Sequence, residues 1–196
     1  MNGKPILFLL ALTVGLLGCK SEYQRYVDEQ LASGTTQDSL IFGMRIGQTK
    51  KDFFAICWDL NKQKLISEGT GNRTARYTEK SDSLGTASYN KDLLFYGIFD
   101  EQDILRGMDM TYSFVAWAPW NREKQSDSLL LHLKEQYERE YPGNDFIELD
   151  VEGMDQPALV KIDGNRQILM YPKGKKDVVV KIEDLHYKIQ QQWNKK

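Results

Sequence analysis

Two helical stretches, each followed by a series of strand-like stretches, restrict the folds open to this chain. In the first, from about Lys50 to Gln63, apolar residues recur at spacings of three, four and seven, as on one face of a helix. In the second, Leu130, Leu133 and Tyr137 mark a similar stripe, which Pro142-Gly143 ends. Because each helix is apolar on one side only, this order favours helices packed on antiparallel sheets.

The clearest strand runs from Ile104 to Val115. Within it, Met108, Met110, Tyr112 and Phe114 share a face at period two, which is typical of a half-buried strand. The remaining stretches predicted as strands are Arg73–Thr78, Gly85–Asn90, Leu93–Phe99, Phe146–Val151, Ala158–Ile162, Gln167–Tyr171 and Val178–Ile182.

The C-terminal tail has two interpretations. Leu185, Ile189 and Trp193 lie four residues apart, which favours a short helix. Leu185, Tyr187 and Ile189 also alternate, which would continue the last strand. The sequence supports either structure.

The N-terminus has the layout of a secretory signal. Lys4 supplies a positive charge, and an uncharged apolar run from Ile6 to Leu17 follows. A transmembrane anchor is the alternative, but residues 5–19 would reach only roughly 22 Å as a helix, at about 1.5 Å per residue. The hydrocarbon core is ~30 Å thick. Cleavage elsewhere is a second alternative, although Gly18-Cys19 is the small-residue site beside the end of the run.

The end of this run, Leu16-Leu17-Gly18-Cys19, resembles the lipobox of bacterial lipoproteins. The resemblance implies a signal peptide of residues 1–18, cleaved by signal peptidase II, and a diacylglycerol on the Cys19 thiol. Two acyl chains anchor a protein stably in a membrane. Lys20, where enteric sorting rules reserve Asp for retention, implies an outer-membrane lipoprotein that faces the periplasm or the surface.

The order of helices and strands resembles the tandem domains of β-lactamase-inhibitor-protein-like and BamE/SmpA-like envelope proteins, with Gly43-Met44-Arg45-Ile46-Gly47-Gln48-Thr49 leading into the first helix. The small BamE/SmpA modules usually run Gly-Met-Thr directly into the helix, whereas Arg45-Ile46-Gly47-Gln48 intervenes here. The resemblance implies an α+β fold of two helix-plus-antiparallel-sheet modules, with the helices on one face of the sheet. We expect a tether at 19–39 and modules at 40–117 and 118–196.

Charge and length exclude one class of partner. The 178 residues from Cys19 onwards suffice for one compact domain or two small ones. Removal of residues 1–18 takes away only Lys4, leaving 25 basic against 28 acidic side chains. Both signs are interspersed, so no basic surface for nucleic acid is indicated, and we expect no nucleic-acid partner.

The two cysteines indicate a core held by packing alone. With Cys19 acylated, Cys57 has no partner for an intramolecular disulfide. Cys57 lies on the apolar face of the first helix and is interpreted as buried and inert. A nucleophilic role would need a lowered pKa, which a position more than one turn inside a helix does not provide.

No catalytic or metal-binding pattern stands out. His132 and His186 are the two histidines, and neither lies at a recognisable ligand spacing. Two loops carry carboxylates that would serve acid/base chemistry or calcium, or be merely solvated: Asp100, Glu101 and Asp103, and Asp150, Glu152 and Asp155. We expect no metal and no cofactor.

The most distinctive stretch after the leader is Trp117-Ala118-Pro119-Trp120, between the clearest strand and the second helix. Tryptophan is favoured in binding hot spots because it combines a large apolar area with a polar N–H. One hypothesis is therefore that Trp117 and Trp120 border a binding surface. The alternative is that both rings fold back and seal the junction between the two halves.

These observations favour a non-enzymatic, lipid-anchored envelope protein that binds a protein or glycan. Its contact surface would be the sheet face or a cleft between the modules. The alternatives are an envelope hydrolase that uses carboxylates and a structural or assembly factor of the outer membrane. Converging acids in a cleft would favour the hydrolase, and an exposed aromatic patch without them would favour binding.

Overall fold

The computed structural model of the chain describes residues 21–81, 89–151 and 156–193. These residues form four α-helices, α1 (Glu22–Ala32), α2 (Lys50–Lys62), α3 (Ser126–Glu140) and α4 (Leu185–Trp193). They also form eight strands: β1 (Ile66–Glu68), β2 (Ala75–Glu79), β3 (Lys91–Phe99), β4 (Leu105–Phe114), β5 (Ile147–Leu149), β6 (Ala158–Asp163), β7 (Arg166–Lys173) and β8 (Asp177–Asp184). The predicted α+β class is confirmed.

All eight strands belong to one antiparallel sheet, in the order β1-β2-β3-β4-β8-β7-β6-β5. Each half of the chain contributes four consecutive strands, and the last strand of each half lies in the middle. There β4 pairs with β8, and Met110 lies opposite Val180. The three-residue strands β1 and β5 form the two edges of the sheet.

The main core lies on the face of the sheet that α2 and α3 cover. The period-two pattern of β4 is confirmed, since its four alternating apolar residues are buried in this core. Phe53 of α2 and three residues of α3, namely Leu129, Leu133 and Tyr137, pack on the same face. Burial of one such side chain contributes about 1.5–3 kcal/mol, so this layer supplies much of the driving force for folding.

The expectation that the helices share one face is wrong for α1 and α4. In β6, Leu159 joins the main core, whereas Val160 and Ile162 pack with Val27 of α1 and Leu185 of α4. Successive residues of a strand point to opposite faces, so α1 and α4 cover the other side of the sheet. The segment 19–39 thus contributes a packed helix to the fold, and the tail is helical.

Two of the helices begin at side-chain caps formed by residues close together in the sequence. The side chain of Thr49 accepts a hydrogen bond from the N–H of Asp52 and caps α2, and Ser21 with Gln24 forms a capping box at α1. Strand β1 is not among the predicted strands, and only Ile66 of its three residues is buried. The predicted signal peptide, Cys19 and most of the predicted strand Gly85–Asn90 lie outside the described residues.

Candidate functional site

A cavity of about 490 Å³ opens on the face of the sheet that carries α2 and α3. Its walls are residues 39–42, from the first half of the chain, and the C-terminal half of α3, from the second. Its floor comes from β2, β3 and β4, with Tyr77, Leu93 and Tyr112. We call this cavity the cleft. It is within the range of volumes, about 300–1,000 Å³, that small-ligand sites occupy.

Phe42 forms one wall of the cleft in a strained backbone conformation, with φ 55° and ψ 28°. Its ring packs edge-on against Tyr77, at 5.1 Å between ring centroids. It also packs against Phe95 in a tilted arrangement, at 5.5 Å between centroids. A left-handed conformation costs an L-residue about 1–2 kcal/mol, so aromatic packing holds Phe42 where its backbone alone would not stay. Strain of this kind is often found at functional sites.

The rim of the cleft carries a polar cluster centred on Gln136 of α3. Its Nε2 donates to Glu140 Oε1 at 2.9 Å and to Glu79 Oε2 at 3.4 Å. Its Oε1 accepts a hydrogen bond of 2.6 Å from Lys91 Nζ, which also pairs with Glu79 at 2.9 Å. Glu79 therefore has a cationic partner, whereas Glu140 forms no ion pair with any residue that the structure describes.

The floor of the cleft is uncharged, and Tyr112 in this floor contacts Tyr137, which is buried beneath the cleft. The hydroxyls of Tyr112 and Tyr137 lie 2.9 Å apart, and Tyr137 also donates to Met110 Sδ at 3.4 Å. Burial raises the pKa of Tyr112, Tyr137 and Tyr141 above that of a free tyrosine, so all three phenols stay protonated at neutral pH. The cleft thus combines apolar, neutral walls with charges confined to its rim.

Neither tryptophan of the candidate binding stretch lines the cleft. Trp117 is half-buried against the main core, and its Nε1 donates to Lys175 O, in the turn between β7 and β8, at 3.2 Å. Trp120 is 85% exposed and stands apart. The two rings therefore occupy different environments, although they belong to one short stretch of sequence. Cys19, the expected lipid attachment residue, lies outside the described residues.

Two of the three carboxylates of the 100–103 loop, Asp100 and Asp103, have structural partners. Asp100 Oδ1 accepts the N–H groups of Gln102 and Ile104, each at 2.9 Å, and Oδ2 accepts Arg106 Nε at 2.8 Å. The hydrogen bond from Ile104, with help from Arg106, lowers the pKa of Asp100. Asp103 pairs with Lys50 at 2.8 Å. In the second loop, Glu152 and Asp155 lie outside the described residues.

The remaining candidates show no catalytic arrangement. No three His, Cys, Asp or Glu side chains within residues 21–81, 89–151 and 156–193 are grouped so as to hold a metal ion. Burial raises the pKa of Cys57 to about 11, which lowers the nucleophilicity of its thiol near neutral pH. His132 is exposed and packs beside the rings of Tyr89 and Phe114.

One exposed apolar surface departs from the sequence interpretation. The pattern predicts a broad apolar face on α2 that includes Phe54 and Trp58, but of the α2 residues only Phe53 is fully buried. Phe54 is 55% exposed, Trp58 63% and Leu65 48%. Helix α2 lies over β1 and β3 near one edge of the sheet, so the sheet covers only part of its apolar surface. None of the helices that the structure describes is long and apolar enough to span a membrane.

Comparison of the chain with protein-family models, with curated proteins and with solved structures gives no match in any of the three.

Proposed function

We propose that this protein is a lipid-anchored protein of the cell envelope that binds a protein or glycan partner in the cleft. The observation that carries this proposal is the cleft itself, which lies between segments of the two halves and has a neutral aromatic floor. Binding sites commonly combine an apolar lining with a few polar groups that fix the orientation of the ligand. Gln136 and the two glutamates it contacts are suited to that role.

The lipobox supports the anchoring part of the proposal, and Lys20 supports delivery to the outer membrane. Helix α1 begins at Glu22, three residues after Cys19. Three extended residues reach at most about 11 Å. With Cys19 acylated, the packed helix α1 would lie at the membrane surface, and the folded body would have little freedom to move away from it.

We also infer that the fold consists of two tandem modules, residues 40–117 and 118–196. Two features support this: α2 is followed by β1–β4 and α3 by β5–β8, and the fourth strands of the two series pair. Co-expression of residues 21–117 and 118–196 as separate chains, without the predicted leader and Cys19, tests the division. We expect the two fragments to assemble into a soluble complex, and failure to co-purify would contradict two modules.

A hydrolase is the second candidate. It is favoured by Glu79 and Glu140, two carboxylates that line the same cleft and share Gln136 as a donor. Paired acids on either side of a bound substrate perform glycoside hydrolysis in many enzymes. The Lys91 ion pair weighs against a catalytic role for Glu79, because Lys91 and Gln136 already engage the carboxylate that a substrate would need.

The experiment that tests binding compares the acylated wild type, Gln136→Ala and the control Glu135→Ala, an exposed position on the same helix. Each is used to capture partners from detergent-solubilised envelopes and to co-sediment with purified peptidoglycan. We expect a partner that the wild type and the control retain and that Gln136→Ala loses. Equal retention by all three proteins would remove the cleft from the binding site, and release of sugar fragments from peptidoglycan would favour the hydrolase.

A further inference from the structure

The charges around the cleft are unequal. Glu79 and Glu140 both line it. Burial is the main cause of the raised pKa of the Tyr112 phenol in its floor, and the two carboxylates add to it. Lys91 neutralises Glu79, but its ammonium already contacts both Gln136 and Glu79. Lys80 also lines the cleft and, like Glu140, is exposed. Gln136 holds the Glu140 carboxylate in place at 2.9 Å, whereas no hydrogen bond to a described residue fixes the Lys80 ammonium.

The aromatic side chains in and beside the cleft are suited to a cation as well. Phe42 and Tyr77 meet edge-to-face, and Tyr141 stacks on Tyr137 at 5.3 Å between centroids. The face of an aromatic ring attracts a cation, with about 0.5–2 kcal/mol gained per contact. This chain already places a cation in that way, since the Arg166 guanidinium lies 4.7 Å from the centre of the Tyr141 ring.

An anionic ligand would meet the opposite conditions. It would approach two carboxylates over a floor of low polarity, where like charges repel more strongly than in water. Of the two lysines at the cleft, Lys91 would first have to leave Glu79 and Gln136, and Lys80 is exposed and held by no hydrogen bond to a described residue.

We infer that the cleft binds a positively charged group, an ammonium or guanidinium, carried on an apolar stem, with Glu140 as its ionic partner. This inference rests on the proposed binding function of the cleft and names its ligand class. The stem lies along Phe42 and Tyr77, and the cationic head reaches the free side of the Glu140 carboxylate. A lysine or arginine side chain of a partner protein and a free polyamine share this chemistry.

Three probes test the inference on the full acylated chain in an uncharged maltoside detergent: an end-capped hexalysine peptide, the same peptide with every lysine acetylated, and spermidine. Binding is followed by NMR shifts of the backbone amides of residues 39–42 and 136–141. We expect hexalysine to shift these amides and the acetylated peptide to leave them unchanged. Tighter binding of hexalysine than of spermidine would assign a protein segment, and the reverse a free amine.

Two variants of α3 separate a specific site from general attraction of opposite charges. Glu140→Gln should weaken hexalysine binding at least fivefold, whereas Glu135→Gln, which removes the same charge from an exposed position, should leave it within twofold. Equal weakening by both variants would overturn the inference. Binding of the acetylated peptide at the same amides would overturn the charge class and leave the proposed cleft function standing. That function fails separately if Gln136→Ala retains every captured partner.

Discussion

The guanidinium of Arg166 lies 4.7 Å from the ring centre of Tyr141, so a buried charge supports one wall of the cleft. Arg166 is 2% exposed, pairs with Asp163 at 3.5 Å and donates from Nη1 to Ser39 Oγ at 2.7 Å. Ser39 begins the segment 39–42 that forms the opposite wall. Arg166, the first residue of β7, thus contacts both walls of the cleft and holds them in place.

Replacement of Arg166 should therefore destabilise the whole protein. We expect Arg166→Met to lower the free energy of unfolding by about 3 kcal/mol, because removal of one partner leaves a buried charge less well compensated. Arg45→Met is the matched control, since Arg45 pairs with Asp38 at the surface, at 3.3 Å, and should cost less than about 1 kcal/mol. Urea unfolding followed by circular dichroism measures both. Similar losses in the two variants would contradict a structural role for the buried pair.

The strained backbone of Phe42 predicts an inverted order of two small substitutions. Phe42→Gly should be less destabilising than Phe42→Ala by about 1 kcal/mol, because glycine adopts a φ of 55° without a steric penalty. At Ala55, an exposed position inside α2, alanine should instead be better than glycine by about 1 kcal/mol. Thermal unfolding of Phe42→Gly, Phe42→Ala and Ala55→Gly measures these differences in stability. If Phe42→Ala is more stable than Phe42→Gly, the backbone at position 42 is not strained.

Buried tyrosines predict a loss of stability at alkaline pH. Burial raises the pKa of Tyr23 to about 12, and that of Tyr112, Tyr137 and Tyr141 is raised as well. In the unfolded chain a tyrosine titrates near about 10. The folded state thus holds protons that the unfolded state releases, so stability is complete below about pH 10 and falls as the pH rises through 12.

Urea unfolding at pH 8, 10 and 11 measures this fall. Tyr23→Phe removes one of the shifted groups, together with its hydrogen bond to Gln167, and should flatten the decline above pH 10. Tyr171→Phe, at a half-buried position on the sheet, provides the comparison. A free energy of unfolding that stays constant from pH 8 to 11 would refute the prediction.

The two tryptophans should respond differently to truncation. Trp120→Ala should change the free energy of unfolding by less than about 0.5 kcal/mol, because its side chain is 85% exposed. Trp117→Ala should cost about 1–3 kcal/mol, since it removes packing against the core and the hydrogen bond to Lys175 O. Guanidinium unfolding of the single variants tests this, and equal effects would show that both rings share one environment.

Local patterns predicted the elements of this fold well. The alternation of β4 can be recognised in the sequence because one face of the strand is buried. The start of α2 can be recognised at Thr49 because capping is a contact between residues close together in the sequence. The face that α1 occupies was not predictable in the same way. Residues of β6 are buried on both sides, so the strand carries no alternation that separates the two faces.

The cleft lay beyond sequence reasoning for a different reason. Its residues come from segment 39–42, from β2 to β4 and from the C-terminal half of α3. No spacing along the chain relates Glu79 to Gln136. Those two side chains meet because α3 packs over the central strands β4, β8 and β7, and Gln136 reaches Glu79 of β2 from there. The tryptophans attracted attention by their residue type, whereas the rim of the cleft consists of glutamate, glutamine and lysine, which are common on any surface.

The short outer strands bear on how copies of this protein would meet under the proposed anchoring at Cys19, which would confine them to one membrane surface. A long unpaired strand at the margin of a sheet would then recruit the margin of the next molecule and propagate a fibre. Strands β1 and β5 offer only three residues each, too few hydrogen bonds for such growth, so collisions between copies should end in separation.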